Sequence, residues 1–170
     1  VLTSWLFGLR GIEVLTQEKL KELVVYNRET GVFRSVKDNK ILGTPNSSGH
    51  LKTQIGTKQY VLHRLAWLYE YGELPEQIID HIDHDRTHNA IENLRDVSIK
   101  ENSKNQRIGK NNKSGHTGVF WNKAKGKWQA CVKVDGKNKH LGYFVDMEDA
   151  VTARKEANAL YGFHENHGKR

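Results

Sequence analysis

The sequence predicts an α+β protein in two parts. One is a strand-and-helix core over residues 26–106, and the other is a small three-stranded antiparallel sheet backed by one helix over 118–163. Three observations carry this. Short segments of helical period alternate with short segments of period two through the first hundred residues. A second period-two block, followed by an alanine-rich helix, begins after residue 117. Between them, RIGKNNKSGHT at 107–117 is basic and nearly free of apolar side chains, a linker composition. Residues 1–25 are expected to be an extension with a short helix, and 164–170 a basic tail.

Taken in order, LTQEKLKELVV at 15–25 places Leu15, Leu20, Leu23 and Val24 at helical spacing, with Thr16 as cap. YNRETGVFRSV reads as a turn and a strand. The stretch holding Gly43, Pro45, Asn46, Ser47, Ser48 and Gly49 reads as a loop. LKTQIGTKQYVL at 51–62 predicts a hairpin turning near Gly56-Thr57. HRLAWLYEY at 63–71 predicts a helix stopped by Gly72. Strands are expected at Ile78–Asp80 and near Leu94–Val97, separated by a long loop. Ser98-Ile99-Lys100-Glu101 is a capping-box pattern, so a helix starts there with Asn102 in its first turn.

In the second part, strands are expected at Gly118–Asn122, Lys127–Val134 and Lys139–Phe144, with Asp135-Gly136 as a two-residue hairpin. Asp146 is expected to cap a helix of about 147–161 whose inner stripe is Ala150, Ala153, Ala157 and Leu160. Alternation puts Trp128, Ala130 and Val132 toward that helix, and Lys127, Gln129, Cys131 and Lys133 on the outer face. Trp121 and Trp128 are expected in the core.

The 170 residues carry a formal net charge of +7. Residues 1–102 hold 13 Lys/Arg against 14 Asp/Glu, and residues 103–170 hold 14 against 6. The whole positive excess therefore lies in the second part, the footprint of a polyanion binder. A single cysteine, Cys131, excludes an intrachain disulfide framework and any multi-cysteine zinc ribbon, and fits a reducing compartment. The apolar start VLTSWLFGL is too short to span a bilayer and lacks a preceding basic residue, so neither membrane nor secretion is expected. The chain begins with Val1, and residues 1–14 are read as an extension of the natural start.

Chemistry-bearing residues converge on 80–102. Hydrolysis of a phosphodiester needs a base for water and a divalent cation to neutralise phosphate charge. Asp80 and the amide carbonyl of Asn102 are hard oxygen donors, and His81 titrates near neutral pH. Neighbouring strand residues point to opposite faces, so Asp80 and His81 share a site only where the strand ends or bends. His81, His84 and His88 also have spacings open to zinc. Arg86 and Arg95 are candidates for phosphate contact or for ion pairs with local acids, and His63 is expected to be structural.

With IDHID at 79–83, NAIENLR at 89–95, ENSKNQ at 101–106 and HRLAW at 63–67, residues 26–106 resemble the HNH (ββα-metal) endonucleases of the phage and intron homing branch. The resemblance implies His81 as general base, Asp80 and Asn102 holding one Mg²⁺ (or Mn²⁺), and Asn93 as the central motif residue that braces the loop. Where this chain has His84 or Asp85, many relatives have glycine. The resemblance also implies a bacterial or phage-infected cytoplasm.

Residues 115–163, with SGHTGV, GKWQA, HLGYF and the alanine-rich helix, resemble the AP2/ERF-type DNA-binding domain. That implies a sheet laid in the major groove of double-stranded DNA. By position Phe120, Asn122 and His140 match contact residues, and Lys123, Lys125, Lys127, Gln129, Lys133 and Lys139 complete the expected DNA-binding set. The arginines of plant-type domains are missing, so base preference does not transfer. The sequence thus predicts a metal-dependent DNA endonuclease, nicking because one chain carries one constellation, with monomer or dimer left open. The alternative is a non-catalytic DNA-binding regulator on a decayed nuclease fold.

Overall fold

A computed structural model of the chain describes residues 14–169. The apolar start expected as an extension lies outside the described residues.

Thr16 caps α1 (Gln17–Leu23), its hydroxyl accepting from the Lys19 amide, and the helix buries Leu20. The chain passes directly into β1 (Val24–Tyr26), which pairs antiparallel with β2 (Phe33–Ser35), itself paired with β3 (Ile41–Leu42). A second sheet is β4 (Thr44–Pro45), β5 (Leu51–Ile55) and β6 (Lys58–Val61). The stretch from Gly43 to Gly49 was expected as loop throughout. Its first two residues after Gly43 instead pair with Leu51 and Lys52, because Asn46 folds the chain back: its Oδ1 accepts from the amides of Ser48 and His50. Helix α2 (Leu62–Tyr71) leaves β6 without a spacer and ends at left-handed Gly72.

Strands β7 (Ile78–His81) and β8 (Leu94–Val97) form an antiparallel pair, and the full capping box of Ser98 and Glu101 starts α3 (Ile99–Asn102). A single tighter turn, Ser103–Asn105, continues it. The core of this part is α1, β1, β2 and the inner face of α2, with Phe33, Leu20, Leu62 and Leu65 buried and Ile79, Ile91 and Leu94 joining from the β7–β8 side.

The second part orders β9 (Val119–Asn122), β10 (Lys127–Val134) and β11 (Lys137–Phe144) as β11-β10-β9, all antiparallel, with α4 (Met147–Leu160) packed on one face. Asp135 and Gly136 both have positive φ, so the turn uses only those two residues and β11 starts at Lys137, earlier than expected. Its core is small: Val119, Ala130 and Ala150, ringed by Trp128, Leu141, Phe144, Met147 and Val151.

Several expectations are corrected here. Asp146 occupies the cap position without a side-chain cap bond. Leu160 is exposed; the buried stripe of α4 runs through Ala150, Arg154 and Ala157. Arg154 is accommodated because its guanidinium donates to the Cys131 carbonyl (2.6 Å) and to Asn158 Oδ1 (2.8 Å). Trp121, on the edge strand β9, is about half exposed and meets Trp128 edge-on at 5.5 Å.

Residues 164–169 fold back on the basic stretch. His164 N–H donates to the Lys104 carbonyl, Gly168 N–H to Gln106 and Ile108 N–H to Lys169, while Asn166 Nδ2 reaches the Ile82 carbonyl at 2.9 Å. Among the described residues, no helix is long and apolar enough to cross a membrane.

Gly31 (φ +72) brings β1–β2 against the loop between β7 and β8. A Cβ there would lie 2.3 Å from the Ala90 nitrogen and the Asn89 carbonyl carbon. Gly31→Ala is therefore expected to lower unfolding free energy by more than about 2 kcal/mol. Gly56→Ala, left-handed but with open space around it, should cost about 1 kcal/mol. Urea unfolding of the two variants checks this, and equal losses would show that the Asn89–Ala90 contact is not what excludes a side chain.

Candidate active site

The β7–β8 register sets Asp80 opposite Arg95 and His81 opposite Leu94, and β7 ends at His81. That ending resolves the alternation problem: Asp80 and His81 leave the strand in different directions yet both line one open cleft of about 910 Å³. Asn102 on α3, Asn105, His50, His63, His84, Arg86, Arg107 and Lys110 share its walls.

The loop from Ile82 to Asn93 is held by side-chain amides. Asn93 Oδ1 accepts from the Asp83 amide (3.0 Å), and its Nδ2 donates to Asp83 Oδ1 (2.9 Å) and the His88 carbonyl (2.8 Å). Asn105, fully buried, donates to Asp80 Oδ2 (2.9 Å) and toward the His81 and Ile82 carbonyls. Its Oδ1 therefore faces His84 Nε2 at 3.0 Å, which makes that nitrogen the donor. His84 stands at φ 67, a left-handed conformation that glycine adopts freely and other residues only at a cost.

Arg95 donates twice to Asp80 Oδ2, from Nε (3.0 Å) and from the guanidinium end (2.7 Å). No protein donor is placed on Asp80 Oδ1 among the described residues. Arg86 instead donates to the Ser48 carbonyl. Asp83 pairs with His88 at 2.6 Å; burial would raise its carboxyl, but the His88 ring, the Asp85 amide and Asn93 hold it below the ordinary range.

His81 is buried, and its Nε2 meets Asn89 Oδ1 at 3.0 Å. Asn89 Nδ2 donates to the Thr87 carbonyl (3.1 Å), which fixes the amide with oxygen toward the ring. The His81 proton therefore sits on Nε2 and the lone pair on Nδ1. Burial lowers the His81 pKa against the opposing pull of Asn89 and of Asp83, Asp80 and Asp85. The ring is neutral at pH 7, the form able to take a proton.

The trio His81, His84, His88 does not assemble, since His84 is turned to Asn105 and His88 to Asp83. A different trio does: His50, His63 and His81, with ring centroids 4.9–5.6 Å apart. Sequence reasoning missed Asn89, Asn105 and His50. Asn105 had a signal, one helical turn beyond Asn102; Asn89 sat unassigned inside NAIENLR; His50 comes from a distant loop and had none.

On the second part, strand pairing puts Phe120, Asn122, Lys127, Gln129, Cys131, Lys133 and His140 on the face away from α4, and Lys123 and Lys125 in the β9–β10 turn. Asn122 Nδ2 donates to Gln129 Oε1 (2.8 Å), and Gln129 Nε2 lies 3.3 Å from His140 Nδ1, a polar row across all three strands. Lys139 departs from the expected set. It pairs with Val132, hence lies on the helix side, and its Nζ reaches Tyr161 Oη at 3.2 Å.

Residues 60–104, which hold Asp80, His81, Asn93 and Asn102, match the model of the HNH endonuclease family. Over 76 residues the chain is 38% identical to Protein 3.8 of Escherichia phage T7, covering 44% of this chain and 63% of that protein. Over 96 residues it is 30% identical to "SPbeta prophage-derived putative HNH homing endonuclease YosQ" of Bacillus subtilis (strain 168), covering 52% and 56%. The chain thus spans less than two thirds of the length of these relatives. A solved structure titled "DNA binding and cleavage by the HNH homing endonuclease I-HmuI" aligns over 86% of this chain and 88% of its own at 21% identity, with a TM-score of 0.41, too loose an overlay to bear on function.

Burial, with the neighbouring His81, His50 and Arg64, pushes His63 down from its ordinary 6.5 to about 3. Between those values the unfolded chain binds a proton there that the folded chain does not. Stability is therefore complete above about pH 6.5 and falls as pH drops through the window, by about 3–5 kcal/mol for this one group. Guanidinium unfolding in EDTA from pH 7.5 to 4.5 should show the slope, and His63→Gln should flatten it. An unchanged slope would assign the linkage elsewhere.

Proposed function

We propose that this chain is a divalent-metal-dependent DNA endonuclease of the homing type that nicks one strand, with His81 as general base and the C-terminal sheet choosing the site. The observation that carries the reading is the convergence of Asp80, a neutral His81 with its Nδ1 lone pair free of Asn89, and Asn102 on one cleft, within the segment matched by the HNH endonuclease model.

The donors suit a hard cation. Asp80 and Asn102 offer oxygen, and both protein donors to Asp80 fall on Oδ2, leaving Oδ1 for a metal. Mg²⁺ or Mn²⁺ held by Asp80 and Asn102 would neutralise charge on the scissile phosphate and the leaving 3′ oxygen. His81 Nδ1 takes the proton of the attacking water. Asn89 keeps the imidazole tautomer and orientation, and the Asn93 clamp keeps the loop that follows His81 and carries Asp83 from shifting. Arg107 and Lys110 on the cleft wall are placed to meet backbone phosphate. The Arg95 pair on Asp80 favours a second reading, a DNA-binding regulator without catalysis, because it holds the proposed ligand without metal.

Double-stranded DNA is the proposed partner of the outer sheet face, in the manner of AP2/ERF-type domains. Its Asn122–Gln129–His140 row is suited to base edges, and Lys123, Lys125, Lys127 and Lys133 to phosphates.

A plasmid nicking assay separates the two readings. Nicking should appear with Mg²⁺ or Mn²⁺ and vanish in EDTA. His81→Ala should lose about 10²–10⁴-fold in rate with duplex affinity nearly unchanged, and Asp80→Ala and Asn102→Ala should weaken the metal dependence. Cleavage at the parental rate by His81→Ala, or activity surviving exhaustive chelation, would remove the mechanism.

Targeting is tested by a salt series of binding. Lys133→Ala should reduce the slope of log affinity against log salt by about one unit, whereas Gln129→Ala should change preference among duplexes. If neither variant differs from the parent, the sheet is not the reading surface.

A further inference from the structure

Three imidazoles arrive at one place from three separate elements: His50 from the loop before β5, His63 from the first turn of α2 and His81 from the end of β7. One nitrogen of each lies within 4.8 Å of the others. No carboxylate belongs to this group.

The hydrogen bonds around the trio decide where the lone pairs are. His81 donates from Nε2 to Asn89 and keeps its lone pair on Nδ1. His50 Nδ1 lies 2.9 Å from Ser48 Oγ, and the Ser48 proton is committed to Asn46 Oδ1 at 2.7 Å. Ser48 therefore accepts, His50 carries its proton on Nδ1, and its lone pair is on Nε2. His63 is nine-tenths buried, and its Nδ1 has no hydrogen-bond partner among the described residues. Two rings are thus oriented from outside by hydrogen-bonded oxygens, as the outer nitrogens of metal-bound histidines usually are. The third holds a buried polar atom that nothing satisfies.

We propose that His50, His63 and His81 form a site for a borderline divalent transition-metal ion such as Zn²⁺, separate from the oxygen donors Asp80 and Asn102. Nitrogen donors select this class over Mg²⁺. Three histidines with a fourth position open to water are a recognised zinc arrangement, with Zn–N distances of about 2.0–2.1 Å that put tetrahedral ligand atoms about 3.3 Å apart. The present separations, at most 4.8 Å, close to that by small ring movements.

Metal binding here does not depend on the proposed nuclease function. Its consequence does: an ion on the trio occupies the lone pair that His81 would use as base, so Zn²⁺ would inhibit Mg²⁺-dependent nicking.

The test is a Co²⁺ titration of the full chain followed by visible absorption, with Zn²⁺ as competitor, on the parent, His50→Ala, His50→Gln and Asp80→Ala. His50 is only partly buried, and circular dichroism checks that each variant is folded. One equivalent of Co²⁺ should give the intense bands of a low-coordinate site, displaced by Zn²⁺. Both His50 variants should bind at least about 10-fold more weakly, and Asp80→Ala should bind as the parent does. No such spectrum in the parent, or unchanged affinity in folded His50 variants, overturns the site. Loss in Asp80→Ala with retention in His50→Ala places the ion on the oxygen donors and overturns it too. In the nicking assay, Zn²⁺ should inhibit the parent at concentrations that spare His50→Ala. A chain that never nicks with Mg²⁺ would end the nuclease reading while the Co²⁺ result still decides the metal site.

Discussion

The site depends on amide side chains filling in for a missing hydrophobic core. Between Ile82 and Ala90 the chain has no apolar residue, so collapse cannot fix the loop there. It is held instead by hydrogen bonds, those to His81, Asp83, His84 and several of its carbonyls coming from Asn89, Asn93 and Asn105, all buried. An asparagine amide has a donor end and an acceptor end, so each one sets a direction as well as a contact. Asn89 thereby sets the tautomer of His81, Asn105 that of His84 and one edge of Asp80, and Asn93 the turn between them. Removing a buried partner strands the other at the cost of desolvation, so the three act as one polar unit in place of packing.

The two parts solve the problem of small size differently. The first buries Phe33 and four leucines around α2, then sets its polar loop against that base through Ile79, Ile91 and Leu94. The second has little apolar volume to bury, and part of its stability rests on a cation: Arg154 spans from α4 to the Cys131 carbonyl on β10 and lies 5.4 Å from the Phe163 ring. Placing a buried arginine behind the sheet leaves the outer face free for the Asn122, Gln129 and His140 row.

Much of this was legible in the sequence because local rules governed it. Helix α2, the β5–β6 hairpin, the capping box at Ser98 and the three strands of the second part follow from apolar spacing, turn residues and caps, all short-range. Of the residues expected at the candidate site, Asp80, His81 and Asn102 do line one cleft and Asn93 clamps its loop, because they lie at or near strand ends and in α3, where sequence offset fixes direction. What escaped was long-range or partner-dependent. His50 joins His63 and His81 only because β4 and β5 fold over α2. Lys139 changed faces because the strand pairing shifts at a bulge between Ala130 and Cys131, which no local pattern announces. Leu160 misled for the opposite reason: its spacing fits the stripe, but Arg154 takes the buried place.

The return of residues 164–169 alters what the basic stretch between the two parts is. A segment of that composition would ordinarily act as a free joint, leaving a recognition module to wander over a wide volume around a cutting module. Here residues 164–169 bond to Lys104 and Gln106 just before it, to Ile108 at its start and onward to Ile82 at the rim of the cleft, and Gly168 lies against Thr117 at its other end. A joint fastened on both sides behaves as a spacer of set length. Under the proposed function, the number of base pairs between the bases contacted by the sheet and the phosphate presented to His81 is then a property of the fold, and the cut falls at a constant offset from the sequence that is read.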